Sequence, residues 1–317
     1  MAYELEEAKK LVVAAGKKLV ESGLIARTWG NVSARISDTQ FVITPSGRAY
    51  ETLTPEEVVV VNIEDCSYEG DIKPSSEKGV HAAAYRHHPT VDFVIHTHQK
   101  AATIVSITGM EIRNVYKDFQ PVLGNKVPCA DYAMSTTNSL RKKVETCIMM
   151  NPGCRAIMLM HHGTLCMGDT YEQAFEIADA LEKCCQRVIK DNYLRHSWAK
   201  TYSDEGKRNF YLKKNGAVAM PESICDLGSS VRNGKTFSLT VGGETVDVDL
   251  ETGLGITGIA PKCAKIHKAI YDSQDCSIIK HVTDPDVIAV SCTGEDMIPM
   301  IDDFAQIAGV DVKNRPW

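Results

Sequence analysis

The sequence has no apolar stretch long enough to cross a bilayer and no excess of positive charge. Its 317 residues carry a net charge of −6, and its longest apolar runs fall well short of the roughly 20 residues that a membrane helix needs. Proteins that bind nucleic acid or anionic membranes through bulk electrostatics have basic surfaces. We therefore expect neither nucleic acid nor a membrane among the partners of this chain.

Cysteines at paired short spacings are also lacking, although the chain has 11 cysteines. They are odd in number and scattered, and the adjacent pair Cys184-Cys185 lies in a stretch of helical pattern. This distribution is typical of reduced thiols that pack as small apolar side chains, which predicts a cytoplasmic protein. The first residues are acidic and helical in pattern, so we expect no secretory signal peptide there.

Length and composition predict two domains. Residues 197–235 are polar and rich in turns, and we place a boundary at about 210–230. The prediction is a larger domain over residues 1–210 and a small α+β domain over residues 235–317, in which no motif indicates a chemical role. For the small domain we predict a hairpin over 237–250, a helix over 261–272, strands at 277–282 and 286–291, and a helix from about 295 to 308. No internal repeat is clear enough to use.

The most informative stretch is an apolar run that ends in two histidines. Residues 93–95 predict a buried strand, and His96 and His98 follow at its end. Because residues i and i+2 of a strand point to the same face, both imidazoles can face one point, as a divalent metal requires. The pair alone is a weak signal, and its interpretation depends on what other segments supply.

A second apolar run and a helix start supply more ligand types. Residues 156–160 end at His161 and His162, and Pro74-Ser75-Ser76-Glu77 opens a helix that we predict to extend to about His88. Helix capping alone would explain the serines and the glutamate. Three imidazoles and one carboxylate together predict a catalytic metal site with an open coordination position.

Three segments have groups that can hold an anion. Gly30-Asn31 forms a tight turn whose amides can cradle a phosphate, although an ordinary turn has the same pattern. Ser46-Gly47 ends the predicted strand at 41–44, and the helix start near Ser75 presents free amides. His81 lies one turn after Glu77, and we interpret it as a packing or supporting residue and not as a ligand.

As a set, these segments resemble the class II aldolase and adducin-head family. The resemblance covers about residues 5–200 and implies an α/β fold, a three-layer α/β/α sandwich around a mainly antiparallel sheet. It also implies a homotetramer whose active sites are completed at subunit interfaces. The segments that carry the resemblance are Gly30-Asn31-Val32-Ser33, Ile43-Thr44-Pro45-Ser46-Gly47, Pro74-Ser75-Ser76-Glu77, His96-Thr97-His98 and His161-His162-Gly163.

The resemblance also implies a role for each matching residue. The catalytic carboxylate is Glu77, and the metal is Zn2+ or another divalent ion such as Mn2+ or Co2+. His161 is implied to be a neighbour of the site and not a ligand. The implied metal ligands are His96, His98 and His162, and the implied phosphate-binding residues are Gly30, Asn31, Ser46, Gly47, Ser75 and Ser76.

The implied reaction is retro-aldol cleavage of a sugar phosphate. A ketose phosphate would give dihydroxyacetone phosphate and an aldehyde through a zinc-stabilised enediolate, with Glu77 moving the proton. The epimerase branch of the family shares Trp29-Gly30-Asn31-Val32-Ser33 but typically has aspartate at position 77. A 4-epimerase is therefore the alternative, followed by a decarboxylase or dehydratase of the family. A non-catalytic adducin-like interaction module is less favoured, because the histidines and Glu77 are all present.

Aldolases of this family also use tyrosines as proton donors. Tyr116 lies near the position of the first, in the loop after the second predicted zinc ligand. For the second, near the C-terminus, the long C-terminal extension departs from the family, and Tyr202 and Tyr211 are the candidates.

Overall fold

We analysed a computed structural model, which describes residues 2–25, 29–217, 220, 225–302 and 305. The described residues form two compact units. Unit 1 contains the residues up to 202 together with a segment that begins at Ile298, and unit 2 contains residues 203–297. The predicted domains, 1–210 and 235–317, differ from this division at both boundaries.

Unit 1 is built on a central sheet. Its strands are β1 (Asn31–Arg35), β2 (Gln40–Ile43), β3 (Val59–Asn62), β4 (Phe93–Thr97), β5 (Ile112–Arg113), β6 (Lys126–Val127), β7 (Cys129–Ala130), β8 (Ala156–Leu159) and β9 (Gly163–Gly168). Seven of them form one sheet in the order β3-β2-β1-β4-β9-β8-β7, and β5 pairs separately with β6. Only the β7–β8 pair of the large sheet is parallel.

Helices cover both faces of this sheet, because its side chains alternate between the faces. The helices of unit 1 are α1 (Leu5–Glu21), α2 (Lys78–His87), α3 (Lys100–Ser106), α4 (Gln120–Leu123), α5 (Asn138–Met150) and α6 (Tyr171–Ser197). Phe41 of β2 packs in one apolar cluster with Tyr85 of α2. Its neighbour Val42 packs in another, with Val12 of α1. A third cluster joins α3 and α6 to β8 and β9.

The strands predicted at residues 41–44 and 93–95 correspond to β2 and β4, the apolar run at 156–160 contains β8, and the helix predicted from residue 77 to about His88 corresponds to α2. Thr137 and Thr170 cap α5 and α6, since each side chain accepts a hydrogen bond from a backbone N–H in the first turn. The strand that sequence analysis missed is β9, which is buried along its whole length. It begins and ends with glycine, a residue that weakens the strand pattern.

The cysteines are free thiols, as the sequence predicted, and most of them are buried. Burial raises the pKa of the Cys166 thiol to about 12, so this side chain behaves as a small apolar residue. Among the helices described, none combines the length and the apolarity that a membrane span requires.

Unit 2 has its own sheet and core. Its elements are α7 (Asp204–Lys214), β10 (Ser229–Asn233), β11 (Thr236–Val241), β12 (Glu244–Asp249), α8 (Ala264–Ser273), β13 (Ile278–Lys280) and α9 (Pro285–Ser291). The sheet order is β12-β11-β10-β13, and all pairs are antiparallel. The predicted β11–β12 hairpin is confirmed.

Three predictions for the C-terminal part need correction or fall outside the structure. The interpretation of residues 197–235 as rich in turns missed α7, which Ser203 caps through its side chain. The predicted strand at 286–291 is wrong, because Pro285 starts α9 and Asp284 caps it. The predicted helix from about 295 to 308 is wrong over residues 295–301, which are not helical, and residues 303, 304 and 306–308 lie outside the described part of the chain.

Unit 2 repeats the first half of unit 1. The order β12-β11-β10-β13, with α8 before β13, matches the order β3-β2-β1-β4, with α2 before β4. The helices α2 and α8 each have ten residues. The strand registers also agree. The equivalent residues include Ser33 and Ser230, Arg35 and Arg232, Phe41 and Phe237, His81 and His267, and Tyr85 and Tyr271.

The same buried side-chain cluster stabilises both units. In unit 1, the Ser33 hydroxyl lies 2.6 Å from His81 Nδ1 and 2.7 Å from the Tyr85 hydroxyl. In unit 2, the corresponding distances from the Ser230 hydroxyl are 2.7 and 2.9 Å. The two units therefore share buried side-chain contacts as well as strand topology.

Within its described residues, unit 2 repeats one of the predicted metal-ligand positions, since His281 is the counterpart of His96 by strand register, but it does not repeat the whole site. Glu77 directly precedes α2, and the residue that directly precedes α8 is Cys263. By the same strand register, the counterpart of His98 is Thr283. Within the described part of unit 2, no strands correspond to β7, β8 and β9.

Tyr85→Phe and Tyr271→Phe should each lower the free energy of unfolding by about 0.5–1.5 kcal/mol, because each removes one buried hydrogen bond to a serine. Urea unfolding followed by far-UV circular dichroism would measure this. Tyr68→Phe is the control, since its side chain is partly exposed. A loss in Tyr85→Phe without one in Tyr271→Phe would contradict the equivalence of the two clusters.

Candidate metal centre

Strand pairing brings the predicted metal ligands together. His96 lies on β4 opposite Leu165 of β9, and Thr97 lies opposite Thr164. The tight turn between β8 and β9 therefore places His162 beside the end of β4. His98 follows β4 on the same side of the sheet as His96, as the period of two predicts.

The three Nε2 atoms converge on one point. His98 Nε2 is 3.0 Å and His162 Nε2 is 3.1 Å from His96 Nε2. Two ligand nitrogens of a tetrahedral zinc ion lie about 3.3 Å apart, because each Zn–N bond is about 2.0–2.1 Å long. The spacing fits a divalent cation, and these three residues form a group that could hold one.

The opposite nitrogens of two of the rings have acceptors. His96 Nδ1 lies 2.9 Å from the carbonyl oxygen of Thr164. His162 Nδ1 lies 3.1 Å from Oδ2 of Asp302, a residue that sequence analysis did not select. An imidazole that donates from Nδ1 presents the lone pair of Nε2, which is the atom a metal would bind.

Glu77 completes the cluster from the start of α2. Its Oε2 lies 3.0 Å from His96 Nε2, and its Oε1 lies 3.2 Å from His162 Nε2. Asn31 donates a hydrogen bond to Oε2, but Oε1 accepts none from the residues that the structure describes. A buried carboxylate oxygen without a hydrogen bond is costly, and a cation beside it would remove that cost.

The electrostatics of the site favour a cation. Burial acts to raise the pKa of Glu77, but His96 and His162 outweigh it and hold the pKa well below its usual range. Burial acts to lower the pKa of His162, but the neighbouring carboxylates of Asp302 and Glu77 raise it to about 9. The carboxylates that favour a proton on this ring would equally favour a metal ion at the same place.

A buried network supports Glu77 from behind. His81 lies between Ser33 and Asn31, with its Nε2 hydrogen-bonded to the Asn31 side-chain oxygen. Asn31 then donates to Glu77. Burial lowers the pKa of His81 to about 3, so the ring is neutral. His81 is therefore a supporting residue, in agreement with its interpretation from the sequence.

A cavity of about 210 Å³ opens beside the three histidines. Its walls contain every residue predicted to bind phosphate, together with Glu77, His98 and His162. Sequence analysis missed several lining residues, although the polar run before α5 was a usable signal for two of them. The lining residues are Trp29, Gly30, Asn31, Pro45, Ser46, Gly47, Tyr50, Ser75, Ser76, Glu77, His98, Ser135, Thr136 and His162.

Two of the predicted phosphate-binding residues have additional structural roles. Gly30 has a φ of +116°, and a Cβ atom there would lie 2.8 Å from the carbonyl oxygen of His96, so a side chain does not fit. Asn31 was predicted only as a phosphate ligand. Its side-chain amide contacts His81 and Glu77, which makes it a support for the carboxylate.

Comparison with known proteins identifies the family. The family model described as "Class II Aldolase and Adducin N-terminal domain" matches residues 10–189. The chain belongs to this family.

Relatives within the class II aldolase family differ in their named reactions. The chain is 32% identical over 183 residues to a 5-deoxy-D-ribulose 1-phosphate aldolase of Bacillus thuringiensis serovar kurstaki, covering 57% of this chain and 84% of that protein. It is 30% identical over 191 residues to an L-ribulose-5-phosphate 4-epimerase of Salmonella paratyphi C, covering 56% and 82%. A solved structure of L-fuculose 1-phosphate aldolase aligns with a TM-score of 0.55 and 27% identity, covering 66% of this chain and 96% of that one.

The structure does not place Tyr116 or Tyr202 in the wall of the cavity beside the three histidines. The hydroxyl of Tyr116 donates to Asp191 on α6 at 2.8 Å, and Arg187 lies over its ring. Burial raises the pKa of Tyr116 to about 12, and the neighbouring Asp191 carboxylate contributes to this rise. Tyr211 belongs to unit 2.

Gly163→Ala should weaken zinc binding on the order of tenfold or more, the size seen when groups that orient metal ligands are lost. A Cβ atom at Gly163 would lie 2.4 Å from the Thr97 carbonyl oxygen and 3.3 Å from the rings of His96 and His98. Competition with a chromophoric chelator would measure the affinity, with circular dichroism as a check on folding. Gly258→Ala is the control, since a Cβ atom there meets nothing closer than 3.7 Å. Equal affinities for folded Gly163→Ala and wild type would refute the expectation.

Proposed function

We propose that this chain is a metal-dependent lyase that cleaves a ketose phosphate to dihydroxyacetone phosphate and an aldehyde. One observation carries the proposal. Three imidazole nitrogens and the Glu77 carboxylate converge beside a cavity whose walls supply hydroxyls and backbone amides. That combination suits a substrate that has oxygen atoms to bind a metal at one end and an anionic group, such as phosphate, at the other.

His96, His98 and His162 would hold the metal. Imidazole ligands suit zinc, and also several other divalent transition metals. We propose Zn2+ first, with Mn2+ or Co2+ as alternatives. When bound, the cation supplies Lewis acidity that stabilises the negative charge that develops on substrate oxygens as the carbon–carbon bond breaks.

Glu77 would move the proton. Its lowered pKa keeps it a carboxylate at neutral pH, and Asn31 fixes one of its oxygens. The other oxygen accepts no hydrogen bond from the described residues and can reach a substrate proton. Glu77 would remove the proton from the substrate α-carbon in the condensation direction and return it to the same carbon in cleavage.

Neutral groups would hold the phosphate. The cavity presents the hydroxyls of Ser46, Ser75 and Ser76, along with the backbone at Gly30 and Gly47. None of the lining residues in the described ranges is lysine or arginine. An anchored phosphate keeps the reactive carbon near the three histidines, which lowers the entropic cost of reaction.

A sugar-phosphate 4-epimerase is the second candidate, with a decarboxylase or dehydratase after it. The segment from Trp29 to Ser33, which resembles the epimerase branch, contributes three residues to the cavity wall. A relative named as a 4-epimerase also matches at 30% identity. Both reactions can begin with cleavage of the same bond, so the products distinguish them better than the residues do.

We further propose that the protein is a cytoplasmic homotetramer with sites completed by neighbouring subunits. The resemblance to the family and the position of Tyr116 support this proposal. This tyrosine does not line the cavity of its own chain, so a role as proton donor would need a Tyr116 from a second subunit.

A coupled assay for dihydroxyacetone phosphate, with a panel of ketose 1-phosphates, tests the reaction. Zinc-loaded wild type should release product, and chelation should abolish release until zinc is returned. Glu77→Gln should lower kcat by about 10²–10⁴, because it removes the general base. His98→Ala should lose both zinc and activity. Glu205→Gln, at an exposed position in unit 2, is the control and should match wild type.

The outcomes separate the candidates. No release from any substrate, with one zinc bound per chain, would reject the aldolase and favour the epimerase or decarboxylase. Absence of metal binding in wild type would reject the enzyme proposal and favour an adducin-like interaction module.

A further inference from the structure

A short segment, residues 298–302, lies against the turn between β8 and β9. His161, in that turn, has a φ of +60°, a conformation that non-glycine residues rarely adopt. The segment forms two hydrogen bonds with His161, one to its ring and one to its backbone. His161 Nδ1 lies 2.7 Å from the carbonyl oxygen of Met300, and the Asp302 backbone N–H donates to the His161 carbonyl at 2.9 Å. These contacts stabilise the turn that carries His162.

The same segment places a carboxylate behind His162. Oδ2 of Asp302 lies 3.1 Å from His162 Nδ1, and the two side chains are 12% and 3% exposed. The other ring nitrogen, Nε2, lies 3.1 Å from His96 Nε2. Because the carboxylate accepts the Nδ1 proton, the Nε2 lone pair faces the other two histidines, as metal binding requires.

The Asp302 carboxylate is itself held in place. Tyr132 donates a hydrogen bond to Oδ1 at 3.2 Å, so each carboxylate oxygen has a partner. His96 has only the backbone carbonyl of Thr164 in the equivalent position behind its ring. A carboxylate is the stronger acceptor, and it increases the basicity of the ring that it contacts.

This carboxylate lies outside the part of the chain that matches the family, which ends at residue 189. Sequence analysis found no chemical role in the C-terminal part. We propose that Asp302 is a positioning residue, which orients His162 and strengthens its binding to a divalent metal. This proposal rests on the metal-dependent function proposed above, and it assigns to the C-terminal extension a role at the metal centre.

Zinc affinity of the full-length chain, measured by competition with a chromophoric chelator, tests the proposal. Asp302→Ala should weaken binding about 10–100-fold, the range seen for groups that support metal-binding histidines. Asp302→Asn should have a smaller effect, because the amide oxygen still accepts from Nδ1 but has no charge. Asp286→Asn is the matched control and should bind as wild type does, since Asp286 is 74% exposed and pairs with Arg208 in unit 2.

A second measurement separates positioning from a general loss of stability. With Co2+ as the probe, the visible absorption of the bound ion should shift in Asp302→Asn, since the donor strength of His162 changes. A residue that only stabilises the fold would leave that spectrum unchanged.

Two results would count against the proposal in different ways. Wild-type zinc affinity in both Asp302 variants, with an unchanged cobalt spectrum, would overturn the role of Asp302 and leave the proposed function intact. Absence of zinc and cobalt binding in the wild type would overturn the proposed function itself.

Discussion

The register of β4 between β1 and β9 is the constraint on which the rest of the site depends. It places His96 opposite Asn31 on one side and opposite Leu165 on the other. A slip of one residue would turn His96 and His98 to the other face of the sheet, away from His162 and Glu77. Every residue of β4 is buried, so the apolar packing on both faces holds this register against such a slip.

Polar groups contact Glu77, and others contact the rings of His96 and His162 on the side away from the point where the three histidines converge. Asn31 and His81 support Glu77, Thr164 supports His96, and Asp302 lies behind His162. Groups this deeply buried are favourable only when their hydrogen bonds are made, which restricts their orientations. The cluster at Ser230 in unit 2 retains part of this arrangement without a carboxylate at the position of Glu77, so the network serves folding as well as the site.

Sequence analysis identified the features that depend on local pattern. The spacing of His96 and His98, the start of α2 and the alternating strands all follow from neighbours along the chain. The role of Asp302 could not be predicted, because it arises from a contact with a residue 140 positions away. The repeat was hidden because only a few buried residues, such as Ser230 and Tyr271, are shared between the units. Tyr116 lies in a region of short elements, where no periodicity fixed the direction of its side chain.

The most direct test of the central claim is an anomalous-difference map from crystals of the zinc-loaded protein, with data collected above and below the zinc absorption edge. The account predicts one peak per chain, at about 2.0–2.1 Å from the Nε2 atoms of His96, His98 and His162. A map without a peak there, or with its zinc peak at other residues, would contradict the assignment of these histidines as the metal centre.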